Sequence, residues 1–179
     1  MAITRLGGAN AITGTLPAAN INNTSIGNVT SLPAAIATGK VLQVVSGNHT
    51  SQASTTGTTF VDLSSNTNVS ITPASTSNKV LVMAHFNECF HNSSTNAHGH
   101  YIRVTAAGTQ IHRAHTVYTQ NLNGEEMMNQ DLILLHSPNS TSAVEYKMQF
   151  RSQTSGQSAV INQNSVSGGS SIILMEIEG

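Results

Sequence analysis

The chain has 179 residues, which allows one domain with an arm or two small domains. Only 8% of the residues are charged, against roughly 25% in an ordinary soluble domain, and the formal net charge is -1. A nearly neutral chain offers no basic face to neutralise phosphates, so the composition argues against nucleic-acid binding. So little charge also protects a free subunit poorly against association, which favours life inside a large assembly. No apolar run is long enough for a transmembrane helix, so we expect no membrane insertion.

Residues 1–39 predict an extended arm. Small residues dominate this segment, and its larger apolar residues stand alone between polar residues or glycines. Such a segment cannot bury a core of its own. We therefore expect the arm to dock on a partner or on copies of the chain, and a disordered tail is the alternative. The isolated apolar residues are Ile12, Leu16, Ile21, Ile26, Val29, Leu32 and Ile36.

Residues 40–179 predict a series of β-strands. Residues 144–151 alternate strictly between apolar and polar side chains, which is typical of a strand with one buried and one wet face. About eight to ten such segments, and no amphipathic helix, indicate an antiparallel two-sheet, jelly-roll-like sandwich. We expect the last strand to lie inside a sheet. The predicted strands are residues 41–45, 58–63, 68–73, 78–89, 101–105, 109–112, 127–136, 144–151, 158–162 and 170–178.

The turns and the apolar runs add three expectations. Gly108 allows a tight turn after residue 106, and Asn123-Gly124 is the strongest hairpin signal in the chain. Residues 80–86 and 172–177 are apolar on both faces, which predicts strands that are buried on both sides or lie at a subunit contact. Residues 47–57, 90–100 and 119–125 are expected to be exposed loops.

Histidine is the residue type that points most directly to a site. His98 and His100 lie two apart, on one face of an extended segment. Three chains could present this pair to a divalent metal on a trimer axis, or one chain could combine it with His112 or His115 around zinc. The alternative is that neutral histidines replace charged residues on loops and strand faces.

No pattern in the chain predicts catalysis. Cys89 lacks an oriented base and an oxyanion donor nearby, so we expect a buried structural thiol rather than a nucleophile. Glu125 and Glu126 follow a turn signal and are expected in a solvated loop. We therefore expect neither enzymatic activity nor a cofactor.

Methionines and tyrosines are expected mainly in the core. Methionine fills irregular apolar gaps, and a tyrosine could stack on sugars only where it is exposed. These residues are Met127, Met128, Met148, Met175, Tyr101, Tyr118 and Tyr146.

Four segments of the chain carry a resemblance to a known class of proteins. They are ITGTLPAANINNTSIGNVTSLP at residues 12–33, GKVLQVV at 39–45, SITPASTSNKVLV at 70–82 and GGSSIILMEIEG at 168–179. With these segments the chain resembles structural proteins of tailed-bacteriophage virions, and the resemblance is one of style rather than of a catalytic motif.

This resemblance implies a short trimeric fibre or tail-fibre head. The arm, residues 1–39, would attach to other virion proteins, and residues 40–179 would form a head around a three-fold axis. The exposed loops would contact a host surface receptor or glycan. A capsid decoration (cement) or head-fibre protein that stabilises the head is the alternative, and a polysaccharide hydrolase or lyase is a third class. His98-Gly-His100 is similar to the His-x-His elements that bind a metal on the trimer axis in some phage fibre tips.

Overall fold

The computed structural model describes residues 41–93, 98–119, 124–164 and 168–179, with the backbone alone at 91–93, 98, 116–119 and 124–126. The predicted arm lies outside these residues. Within them, no helix is long and apolar enough to span a membrane. The strands are β1 (Val41–His49), β2 (Ala53–Thr55), β3 (Val61–Asp62), β4 (Asn68–Ile71), β5 (Lys79–Ser93), β6 (His98–Ala106), β7 (Thr109–Thr119), β8 (Gly124–His136), β9 (Val144–Ser152), β10 (Ala159–Ile161) and β11 (Ser170–Ile177).

Sheet A is built around β5, which is 15 residues long. β8 pairs with one side of β5, and β11 and β10 pair with successive parts of the other side. β1 extends the sheet beyond β11, and β2 extends it beyond β10. All of these pairs are antiparallel. The last strand therefore lies between two others, as the sequence predicts.

Sheet B has the order β3-β9-β6-β7, and β4 also pairs with β9. Its central strand β9 buries every second side chain, which confirms the alternation read from the sequence. β6 and β7 form the hairpin predicted at Gly108. Ala107 has φ 47° and Gly108 has φ 79°, the left-handed pair that a tight primed turn requires.

The inward side chains of both sheets form one core, so the predicted antiparallel two-sheet sandwich is confirmed. Each fully buried large apolar side chain contributes on the order of 1.5–3 kcal/mol. Sheet A supplies residues such as Phe86 and Leu174, and sheet B supplies Ile102, Met148 and Phe150.

The hairpin predicted at Asn123-Gly124 is wrong. The strand before it, β7, pairs with β6 in sheet B, and the strand after it, β8, pairs with β5 in sheet A. The connection therefore crosses between the sheets. The local turn preference is outweighed by a long ladder between β5 and β8, which runs from Val80 opposite His136 to Ser93 opposite Gly124.

The predicted loops at 47–57 and 90–100 are too long, because polar residues continue the strands. β1 extends to His49 opposite the start of β11, β2 occupies part of the first loop, and β5 continues to Ser93. Backbone pairing needs no apolar side chain, so Ser, Asn and His extend these ladders. The strand predicted at 58–63 is shorter, because only Val61–Asp62 pairs with β9.

The first half of β8 also differs from expectation. Met127 and Met128 are 51% and 40% exposed rather than core residues, whereas Met148 is buried as predicted. Glu125 and Glu126 lie in the strand rather than in a loop. Among the described strands β8 pairs with β5 alone, so this edge has fewer neighbours to cover it.

Candidate functional site

The predicted metal ligands His98 and His100 both lie in β6. The imidazole of His100 is fully buried, and the side chain of His98 lies outside the described residues. Among the side chains that the structure describes, no three His, Cys, Asp or Glu groups come together as metal ligands. The trimer-axis metal site stays a prediction, and it would require His100 to leave its buried position.

His112 and His115 lie exposed on β7. The ring of His115 stacks on Tyr101 with 4.4 Å between centroids, and its Nε2 lies 2.9 Å from Oε1 of Gln153. These contacts hold His115 on the surface of a strand, where the alternative to a metal site places it. His136 pairs instead with the buried Tyr146, with 2.8 Å between Nδ1 and the phenol oxygen, and burial lowers the pKa of His136.

Cys89 is a structural thiol, as predicted. It is fully buried beside a bulge of β5, where Glu88 has φ 45°, and its Sγ lies 3.6 Å from the carbonyl oxygen of Phe86. Burial raises the pKa of the thiol to about 12. The reactive thiolate is therefore scarce at neutral pH.

Glu176 is a buried carboxylate that the sequence analysis did not single out. It points into the sandwich from β11 and accepts hydrogen bonds from Gln43 Nε2 (2.6 Å), the Ala74 amide (2.7 Å) and Asn78 Nδ2 (2.5 Å). Burial by itself raises the pKa of Glu176, but hydrogen bonds from Asn78, Gln43 and Ala74 outweigh that effect and lower it. The carboxylate ties the loop before β5 to β1 and β11 of sheet A.

The outer side of sheet A carries an apolar surface, which we call the apolar face. Cross-strand pairing aligns its members in two rows, because directly opposed residues point to the same side. Ile133 is 62% exposed and Leu135 53% exposed, while the members on β5 and β11 are half-buried by their neighbours. The apolar face consists of Val44, Leu81, Met83, Ile133, Leu135, Ile173 and Met175.

Polar groups stand only at the margin of the apolar face. His85 Nδ1 lies 2.7 Å from Asp131 Oδ1, and these two residues border an open depression of about 240 Å³ with Met83, Ile133 and Ile173. Most of the depression wall is therefore apolar. A shallow apolar wall with one polar margin suits contact with another protein surface better than capture of a small polar ligand.

The outer side of sheet B carries the opposite chemistry. Arg103, Arg113 and Arg151, which we call the arginine cluster, project from its three neighbouring strands β6, β7 and β9. The Cζ atom of Arg103 lies 4.0 Å from the ring centroid of Phe60. Arg151 Cζ lies 4.3 Å from the centroid of Tyr101 and 5.3 Å from that of Phe60, and Arg113 Cζ lies 5.2 Å from Tyr101. Two rings thus support three guanidinium groups.

The nearest acid, Asp62, is engaged beside the arginine cluster. Its carboxylate binds Lys147 Nζ at 3.2 Å, Asn68 Nδ2 at 3.2 Å and Gln149 Nε2 at 2.5 Å. Burial lowers the pKa of Arg103, Asp62 raises it, and repulsion from the other two arginines lowers it further. The inference from net charge that no face carries an excess of cations does not hold.

No protein-family model matches the chain, and no curated protein matches it. Similar solved structures include the T13 IBDV viral particle (TM-score 0.40, 12% identity, covering 76% of this chain and 31% of that chain). Others are the infectious bursal disease virus VP2 subviral particle (0.34, 13%, 76% and 37%) and dimeric latent PorU from Porphyromonas gingivalis (0.39, 9%, 76% and 13%). The chain spans little more than a third of these proteins at most, and at such TM-scores the likeness carries no functional argument.

The sequence contained part of the signal for the arginine cluster. Arg103 and Arg151 occupy outward positions of predicted alternating strands, and Arg113 follows the predicted strand at 109–112. The alternation therefore gave the side of the strand on which two of them lie. It did not show that β6, β7 and β9 are neighbours, and that adjacency is what creates the cluster.

Proposed function

We propose that the chain is a non-enzymatic structural protein of a virus particle. In this proposal it is a short trimeric fibre or tail-fibre head of a tailed bacteriophage that contacts the host surface. The observation that carries the proposal is the apolar face of sheet A. The resemblance of residues 12–33 and 168–179 to such virion proteins supplies the class of particle, and the low overall charge agrees with life in an assembly.

An exposed apolar sheet face favours association. Removing apolar surface from water contributes roughly 25 cal/mol per Å², and contiguous apolar patches rimmed by polar groups mark interaction sites. Ile133 and Leu135 are exposed on adjacent outward positions of β8, next to Met83 and Leu81 of β5. We assign the face to contacts between copies of this chain around a three-fold axis, because each copy brings the same uncharged rows to that axis.

The remaining parts of the proposal concern the arm and the host. Residues 1–39 attach the head to other virion proteins, and the isolated apolar residues of that segment support this role. The side of the head away from the trimer axis is then available for the host surface.

The apolar face is tested by the mass of the full-length protein in solution. Ile133→Asp with Leu135→Asp should turn a trimer into a species of about one third of its mass, measured by light scattering during size-exclusion chromatography. Val61→Asp is the matched control, because Val61 is an exposed residue on sheet B. A monomeric wild-type protein, or loss of the trimer in the control as well, would contradict the assignment.

The place on the particle is tested by immunogold labelling of intact virions with an antibody against residues 40–179. Label at the tail or its tip would support the fibre head. Label spread over the capsid would replace it with the decoration or head-fibre alternative. Absence of label on particles of the virus that encodes the chain would overturn the virion proposal.

A further inference from the structure

Nearly all the Lys and Arg side chains that the structure describes lie on one surface. The described residues contain five Lys and Arg residues, and four of them, the arginine cluster and Lys147, project from the outer side of sheet B. Lys79 in sheet A is the exception. In a protein with only 8% charged residues, this distribution produces a local positive field that the net charge of -1 conceals.

Within the described part of the chain no acid forms an ion pair with the arginine cluster, although the negative charge of Asp62 raises the pKa of Arg103. The carboxylates on this side, Asp62 and Glu145, lie 3.2 and 3.4 Å from Lys147 Nζ. Arg103 donates from Nε to Oε1 of the neutral Gln149 at 2.7 Å, and Arg151 donates to the Ser152 carbonyl at 3.1 Å. The positive charge of the three guanidinium groups is therefore left for a ligand outside the fold.

The aromatic rings position the guanidinium groups for such a ligand. A guanidinium stacked on a ring gives its flat face to the ring and keeps its N–H donors at its edge. Those edge donors match the oxygens of carboxylates and phosphates, which they bind in pairs. Tyr101 and Phe60 thus fix the direction of the donors before a ligand arrives, which reduces the entropy lost on binding.

We propose that the arginine cluster binds an anionic saccharide through its carboxylate or phosphate groups. The inference deepens the proposed function, because it takes the saccharide to belong to the host surface that the head contacts. Gln153 lies beside the cluster, next to His115, and supplies an amide group for sugar hydroxyls.

A saccharide fits this surface better than a single-stranded nucleic acid. Sequence-tolerant binding of single strands needs aromatic faces on which the bases stack. Here the ring of Tyr101 already contacts His115 and two guanidinium groups, and the ring of Phe60 contacts two. Asp62 and Glu145 also place negative charge on the outer side of sheet B, which limits the length of a polyanion that this surface can bind.

The test uses isothermal titration calorimetry of the full-length protein with tetragalacturonate, which carries a carboxylate on every sugar. The neutral control ligand is maltotetraose. We expect binding of the acidic ligand alone, and at least about tenfold weaker binding for Arg113→Ala or Arg151→Gln. Lys79→Ala removes the same charge from sheet A and should change the affinity by less than about twofold.

Several outcomes would overturn this inference. A flat titration with both tetragalacturonate and inorganic phosphate at about 10 mM would overturn it, and so would a loss of affinity in Lys79→Ala as large as that in Arg113→Ala. A single-stranded DNA oligomer that binds as tightly, with the same arginine dependence, would make the cluster a general polyanion site. Circular dichroism of each variant separates loss of binding from loss of fold. If the protein binds tetragalacturonate but virions carry no immunogold label, only the proposed function is contradicted. If virions are labelled but the protein does not bind tetragalacturonate, only this inference is contradicted.

Discussion

The two outer faces of the sandwich are built by the same rule and have opposite chemistry. Both sheets alternate inward and outward side chains, so the inner halves merge into one core. The outer half of sheet A is apolar, with Ile133 and Leu135 exposed, whereas that of sheet B carries Arg103, Arg113 and Arg151. The difference teaches that the core fixes the fold while the outward positions remain free to select partners. One face suits burial against another copy, and the other suits an anion in water.

The largest effect on stability is expected for a substitution in the core, which both sheets share. Phe150 points into the core from β9 and is 1% exposed, and Phe60 lies on the outer side of the same sheet. Phe150→Ala should lower the free energy of unfolding by about 3–5 kcal/mol because it leaves a cavity. Phe60→Ala is the matched deletion and should cost only about 1 kcal/mol. Urea denaturation followed by circular dichroism compares them, and equal costs would contradict the division into inner and outer sides.

A middle-sized effect is expected at Gly47, where β1 of sheet A packs against β4 of sheet B. A Cβ at this position of β1 would collide with the carbonyl oxygen of Asn66 and lie 2.7 Å from Val69 Cγ2. Gly47→Ala should therefore cost about 1–3 kcal/mol, because backbone must move.

Gly57→Ala is the control for this substitution. The nearest atom to a Cβ there, Thr55 Oγ1, lies at 3.6 Å, so we expect a change within about 0.5 kcal/mol. Binding of tetragalacturonate by folded Gly47→Ala protein should stay unchanged, since a Cβ at Gly47 points between the two sheets whereas the arginine cluster lies on the outer side of sheet B. Weakened binding would show that the two faces are coupled.

The smallest effect is expected from Glu176, and it depends on pH. Its folded pKa lies below the ordinary value of 4.5, so its stabilisation is present above pH 4.5 and is lost as pH falls through the folded pKa. Glu176→Gln should lower stability at neutral pH and flatten the loss of stability in acid. Thermal unfolding between about pH 3 and 7 measures this, and an unchanged acid slope would contradict the role of the carboxylate.

The sequence by itself determined the class of fold. Alternation at residues 144–151 predicted β9 almost to the residue, and Gly108 predicted the β6–β7 turn. Each of these features is local, because a period of two or a left-handed turn is set by neighbours along the chain.

The tertiary structure decided which strands meet. It carried the chain from sheet B to sheet A between β7 and β8, exposed Met127, and buried the imidazole of His100. It also brought Arg103 and Arg151, which are distant in sequence, to the same aromatic ring, that of Phe60. Strand adjacency depends on long-range pairing and on packing between the sheets. It therefore cannot be inferred from the spacing of residues along the chain.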